Sequence, residues 1–175
     1  SKDVTGAHGT FGWFIPPVSH LIVPVVGLEL IHHSVGIYSP EIYFWISMIS
    51  LGTGLFLFLL IGPNIFHRYI YLSSPMGKMA PTLFIGAAPT AILTIILIKL
   101  NVALPFLDKI ELRSIKGFAQ LTGAILIGFS LWWLVLSIIK IIHALTTHQL
   151  SFTLSWWAFT FPVGAISVAL GAFNT

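Results

Sequence analysis

Side chains that commonly catalyse reactions or bind metals are scarce in this sequence. It contains seven His, five Asp or Glu and no Cys among 175 residues. The lack of Cys excludes a thiolate nucleophile, a disulfide framework and a Cys-ligated metal site. The HExxH, GxSxG and Gly-rich phosphate-loop motifs are missing as well. We therefore predict that the chain is not an enzyme and has no catalytic residue, no cofactor and no metal site.

Two of the acidic residues, Glu29 and Glu41, stand at the ends of long apolar runs. This position predicts solvated charges that flank a membrane. Acidic residues inside the membrane are typical of the proton relays of pumps. The sequence therefore does not indicate a pump of that type.

The histidines leave one alternative open. His20 and His33 are 13 residues apart, a spacing typical of helices that hold two haems. Such a site also needs a second helix with His at both depths, which His67 and His143 do not supply. A haem-binding electron carrier is thus a minor alternative. His20 either faces a path through the membrane or bonds a neighbouring backbone carbonyl, and the sequence does not choose between the two.

The low charge content decides the class of protein. Only 13 residues, or 7%, are charged, and 57% are hydrophobic, whereas soluble domains carry about 25% charged residues. A soluble domain, a disordered chain and a nucleic-acid binder are all excluded. The apolar runs are continuous and do not alternate with polar residues, which excludes a membrane β-barrel. The sequence predicts an all-α integral membrane protein in contact with the lipid bilayer.

A helix needs about 20 apolar residues to cross a bilayer, and five runs reach that length. They cover residues 12–31, 42–63, 80–98, 117–139 and 152–173. We predict a single transmembrane domain over residues 1–175. The chain begins without Met and ends directly after an apolar run, so it is expected to be a fragment.

Charge does not determine the orientation of these spans. Each side of the predicted membrane carries four basic residues, so the positive-inside rule gives a tie. The first side has Lys2, Arg68, Lys78 and Lys140, and the second has Lys99, Lys109, Arg113 and Lys116.

Proline occurs inside the odd-numbered spans and not inside the even-numbered ones. Pro24, Pro89 and Pro162 are separated by 65 and 73 residues, about one helical hairpin each. An interior Pro removes a backbone hydrogen bond and bends a helix, which membranes tolerate beside protein or a watery cavity. We therefore expect spans one, three and five to line a central path. Since Pro is common in membrane helices, chance is the competing explanation.

A path between these helices would be nearly uncharged. Its candidate lining residues are Ser19, His20, Thr82, Thr90 and Thr160. Hydroxyl groups hold an anion only weakly, which favours passage over capture. An apolar ring such as that of Phe161 could close the path by blocking or dewetting it.

Two segments resemble a known family. GWFIPPVSHLIVPVVG (12–27) and SWWAFTFPVGAISVALGAF (155–173) are similar to the fifth and ninth helices of the tellurite-resistance/dicarboxylate transporter family. APTLFIGAAPTAI (80–92) is compatible with the seventh helix. The family includes plant guard-cell slow anion channels, the fungal malate permease and the sulfite exporter.

The resemblance implies helices five to nine of a ten-helix bundle, built from hairpins around a central pore and assembled as a homotrimer. It implies that Phe161 plugs the pore, with Phe159 as the fallback if the alignment slips by two residues. It also implies that the odd helices run outward from the cytoplasm of a plasma membrane, which would make Arg68 and Lys78 cytoplasmic.

The resulting functional prediction is transport of small anions, inorganic ions or dicarboxylates such as malate, through a proline-kinked pore. Whether transport is passive or proton-coupled, and which anion moves, stays open. The alternative from another class is a non-transporting membrane subunit that packs against partner helices.

Overall fold

A computed structural model describes residues 10–33, 35, 37–71, 80–107, 115–147 and 153–173. Several residues used in the predictions above lie outside these ranges, namely Lys2, Lys78, Lys109, Arg113 and Phe152. The described residues form five α-helices and no β-strand, which confirms the all-α prediction. The helices are α1 (Ile15–His32), α2 (Pro40–Tyr71), α3 (Ala88–Ala103), α4 (Lys116–Thr146) and α5 (Thr160–Ala172).

Five helical segments of the described chain are long and apolar enough to cross a membrane. They are Phe11–His32, Pro40–Tyr69, Ala80–Phe106, Lys116–Thr146 and Leu154–Ala172. Several extend beyond the apolar runs. In α2, Pro63 lies inside the helix, so the prediction that the even-numbered spans contain no interior proline is wrong. The Asn64 side chain, one residue later, donates to the Leu60 carbonyl at 2.8 Å. Hydropathy marks where apolar residues stop, whereas a helix can continue into the polar interface.

Each odd-numbered span begins with a 3₁₀ segment that becomes an α-helix at a proline. The 3₁₀ segments are Phe11–Phe14, Ala80–Ala87 and Leu154–Phe159. Pro16, Pro89 and Pro162 lie at the second or third position of the α-helix that follows. The first turn of a helix does not use these backbone N–H groups, so Pro is accommodated there. Pro89 and Pro162 therefore mark a change of helical pitch and do not interrupt an α-helix.

The first and third of these segments start in the same way. Thr10 and Thr153 are both extended, with φ of −125° and −146°. Their carbonyls accept the backbone N–H of Trp13 and Trp156 at 3.0 and 3.1 Å. The two segments thus share a Thr-x-x-Trp start, which supports a repeated hairpin unit.

Pro24 is the proline that lies inside an odd α-helix. It has no N–H to donate to the His20 carbonyl four residues earlier. The Ser50 hydroxyl of α2 donates to that carbonyl at 2.8 Å. The neighbouring helix thus satisfies the acceptor that the proline exposes.

Helix α3 forms the centre of the described bundle. It packs against α1, α4 and α5, while α2 packs against α1. The three odd-numbered helices adjoin one another through α3, which also packs against the even-numbered α4. The surfaces of α2, α4 and α5 remain largely exposed and apolar, as lipid or further protein requires.

Polar contacts join α3 and its 3₁₀ segment to α4. The Thr90 and Ser130 hydroxyl oxygens are 2.7 Å apart, and the Trp133 indole donates to the Leu83 carbonyl at 2.8 Å. The Trp133 ring lies directly against Gly86, where a Cβ would be 2.4 Å from Nε1. Trp133 is 1% exposed, whereas Trp132 is 50% exposed. Trp132 lies on the outer face of α4.

Candidate functional site

A groove runs between α1 and α5, with α3 as its floor. Three cavities follow one another along it, of about 300, 310 and 320 Å³. We call them the first, middle and charged cavities. Ile22 lines the first and middle cavities, and Ile95 and Val168 line the middle and charged ones. Shared walls make the three cavities one continuous feature.

Phe161 lines both the first and the middle cavity. It lies in the first turn of α5, directly before Pro162, and is 46% exposed. The 3₁₀ segment Leu154–Phe159 packs against Ala80–Ala87 and thereby positions the start of α5. Phe161 thus lines two neighbouring cavities of the groove, as Ile22 does.

The middle cavity is apolar throughout. No polar side chain lines it among the described residues. Its lining residues are Ile22, Val25, Ile92, Ile95, Phe161, Gly164, Ala165 and Val168. A lining of this kind offers an ion neither a hydrogen bond nor a fixed countercharge.

The charged cavity lies near the C-terminal ends of α1, α3 and α5. Lys99 of α3 donates to one carboxylate oxygen of Glu29 in α1. The Nε2 atom of His33 donates to the other oxygen at 3.0 Å. All three side chains line the cavity, together with His32. Glu29 is therefore not a merely solvated charge, as the sequence suggested, but joins two membrane helices.

Three of these groups could approach a cation. Glu29, His32 and His33 each have a ligand atom within 4.8 Å of the others. The sequence had predicted no metal site. Lys99 already binds the same carboxylate, so a cation would compete with an ammonium group for Glu29.

The other predicted lining residues are dispersed. Ser19 lines the first cavity, but its hydroxyl donates to the Pro16 carbonyl at 2.8 Å. His20 donates from Nδ1 to the same carbonyl at 2.9 Å, which is the second of the two alternatives left open above. Thr82 and Thr90 are buried, at 7% and 5% exposure, and Thr160 is exposed.

The fallback position, Phe159, has a different environment from Phe161. Its ring lies 6.2 Å from that of Phe84 in the preceding 3₁₀ segment, and it is 42% exposed. It lines none of the three cavities. Of the two rings, Phe161 is the one that lines the groove.

Sequence reasoning missed the Glu29–Lys99 pair. Both residues stand near the ends of apolar runs, where charges are usually solvated. The available signal was a helical spacing, because Glu29, His32 and His33 follow the i, i+3, i+4 pattern of one helix face. Lys99 is 70 residues away in the sequence, so the pairing depends on the packing of α1 against α3.

Comparison with known proteins identifies the class. Residues 3–174 match the voltage-dependent anion channel family, and the chain belongs to this family. It is 31% identical over 165 residues to one uncharacterized transporter of Methanocaldococcus jannaschii and 30% identical over 164 residues to a second. Each alignment covers 94% of the chain and 46% of the relative, so the chain spans about half the length of these relatives. No solved structure matches it.

Proposed function

We propose that the chain forms part of a path for small anions across a membrane, along the groove between α1, α3 and α5. Phe161 would be the barrier in this path. The observation that carries the proposal is that this one ring lines both the first and the middle cavity. Membership in the anion channel family supports the anionic substrate class.

The apolar middle cavity suggests how the barrier works. An ion that leaves water for an apolar constriction loses hydration and receives no fixed countercharge there. A phenyl ring both narrows the groove and keeps it dry. Removing the ring should widen the groove and allow water to enter.

The test is an anion-flux measurement on the full-length protein in liposomes. Phe161→Ala should raise the flux, because it removes a large ring that lines both cavities. Phe159→Ala is the matched control and should leave the flux near that of the unaltered protein. An unchanged flux in Phe161→Ala would contradict the gate assignment, and a rise confined to Phe159→Ala would move it by two residues.

The same preparation addresses the finer parts of the proposal. We propose that Pro24, Pro89 and Pro162 shape the path and that the substrates are inorganic anions or dicarboxylates such as malate. Competition between chloride, sulfite, tellurite and malate would rank them, and a pH gradient would separate passive from proton-coupled transport. A complete lack of flux would favour the non-transporting subunit.

We also propose, from the family resemblance, a trimer in a plasma membrane. The extensive apolar surface of α2, α4 and α5 is compatible with contacts to lipid or to other subunits. Chemical cross-linking in native membranes would count the subunits, and cell fractionation would identify the membrane.

A further inference from the structure

We propose that the charged cavity is an anion-binding station in which the Lys99 ammonium binds the anion and Glu29 competes for that ammonium. This inference rests on the proposed function and adds a second position to the path, at the end of the groove away from Phe161. It assigns opposite roles to the two members of one ion pair.

The hydrogen-bond capacity of Lys99 supports this assignment. An ammonium group has three N–H donors. Among the described residues, Glu29 is the partner recorded for it. The carboxylate has a donor on each oxygen, Lys99 on one and His33 on the other. Lys99 thus retains donors for a further acceptor, whereas each Glu29 oxygen already has a donor.

The surroundings strengthen any charge that remains. Besides Glu29, His32, His33 and Lys99, the cavity is lined by apolar side chains and glycine: Leu28, Ile95, Ile98, Val102, Val168, Gly171 and Ala172. The contribution of α5 contains no titratable group. Electrostatic attraction is stronger beside such apolar walls than in open water. A small anion of modest charge fits a volume of about 320 Å³.

Lys99 is essential to anion binding in this cavity because the neighbouring helix backbones oppose the binding of an anion. The C-terminal ends of helices carry partial negative charge and repel anions, and the cavity lies near three such ends, those of α1, α3 and α5. Glu29 adds a full negative charge. Lys99 therefore binds the anion, and Glu29 lowers the affinity of the cavity for it. Weak binding is what a transport path requires, because the ion must also leave.

A purely structural ion pair makes a different prediction. If Glu29 and Lys99 only join α1 to α3, removing either one should impair the protein in the same direction. The station predicts opposite effects on anion affinity. Glu29→Gln releases Lys99 and should tighten chloride binding, whereas Lys99→Met should weaken it.

The experiment has two measurements on the full-length protein. The first is the rise in melting temperature in detergent when sodium gluconate is replaced by sodium chloride at constant ionic strength. The second is chloride flux into liposomes as a function of chloride concentration. Chloride binding stabilises the folded protein by RT ln(1 + [chloride]/Kd), so the first measurement gives an apparent Kd and the second a half-maximal chloride concentration. Glu29→Gln should lower both values and Lys99→Met should raise both, each by about tenfold, the size of one charge-assisted hydrogen bond.

Two further variants separate binding from folding. The double variant Glu29→Gln/Lys99→Met leaves no unpaired charge and should still show the weakened binding of Lys99→Met. Lys140→Met is the charge-matched control, because Lys140 lies on another face of the bundle. Its Nζ atom is 5.6 Å from the centroid of the Tyr69 ring. It should leave the chloride dependence unchanged.

The outcomes distinguish the station from the proposed function. Flux with no dependence of either measurement on Lys99 overturns the station and leaves the path intact. Chloride-dependent stabilisation that requires Lys99, without any flux, supports the station and overturns the proposed function. A double variant that binds chloride as the unaltered protein does would show that the pair is structural.

Discussion

The Ser50 hydroxyl donates a hydrogen bond of 2.8 Å to the His20 carbonyl, the acceptor that Pro24 leaves without its intrahelical donor. A proline in α1 is thus compensated by a serine in α2. The contact also links the two helices. This arrangement is directly testable, because the effect of the serine should depend on the proline.

Replacing Ser50 by Ala should destabilise the protein by about 1 kcal/mol, the usual range for one hydrogen bond between membrane helices. In the Pro24→Ala background residue 24 can donate to the His20 carbonyl itself, so the loss should be smaller. Unfolding in detergent micelles measures the difference as a double-mutant cycle. Thr53→Ala is the control, because Thr53 bonds Ile49 of its own helix. Equal losses in both backgrounds would refute the compensation.

Trp133 should contribute far more to stability than its neighbour Trp132. Trp133→Phe removes the indole donor to the Leu83 carbonyl and should cost about 1–3 kcal/mol, since that buried acceptor is left without its donor. Trp132→Phe makes the same chemical change at a half-exposed position and should cost less than about 0.5 kcal/mol. Thermal unfolding of the two variants side by side tests the difference. Similar melting temperatures would contradict it.

Gly27 should not tolerate even a methyl group. A Cβ at this position would be 2.1 Å from Ser47 Oγ and 3.5 Å from Ser47 Cβ. Gly27→Ala should therefore cost about 1–3 kcal/mol from overpacking. Gly52→Ala, whose Cβ meets nothing within 4 Å, should be neutral or stabilising.

The same contact predicts a rescue. Ser47→Ala removes the oxygen and leaves the ordinary 3.5 Å contacts with the Cβ atom of residue 47 and with the Tyr43 carbonyl, so the double variant Gly27→Ala/Ser47→Ala should regain most of the lost stability. Chemical unfolding of the four proteins checks this. Failure of the rescue would mean that something other than Ser47 limits the approach of α1 and α2.

The size of the side chain at position 161 should control the flux of anions. Leu should raise the flux less than Ala, because a branched side chain still covers part of the groove. Adding Gly164→Leu to Phe161→Ala should remove most of the gain, since Gly164 lines the middle cavity and has open space around it. Fluorescence-detected flux into liposomes measures the series. A flux unrelated to side-chain size would place the barrier elsewhere.

The fold could be predicted from the sequence because bilayer thickness imposes a minimum length on each apolar run. The helix ends were less accessible, since residues such as Asn64 and Arg68 continue α2 beyond its apolar run. The prolines indicated where a 3₁₀ segment gives way to an α-helix. Their local geometry depended on the preceding 3₁₀ segments, which leave no periodic signal in so short a stretch.

The candidate site could be predicted from the sequence only in part. Phe161 was singled out by the family resemblance, and it lines two cavities of the groove. The predicted hydroxyl lining was less informative, because Ser19 and Thr90 find nearby oxygen partners. The Glu29–Lys99 pair could not be predicted, because it depends on which faces of α1 and α3 meet.

The single ring at position 161 also has a consequence for the timing of opening. A phenyl group can turn about χ1 and χ2 while α5 stays in place, and rotations of exposed side chains take picoseconds to nanoseconds. Openings of that duration are recorded as a steady, attenuated current without discrete steps. Resolved openings of milliseconds would instead show that the first turn of α5 moves together with its ring, since collective helix motions occur on that timescale.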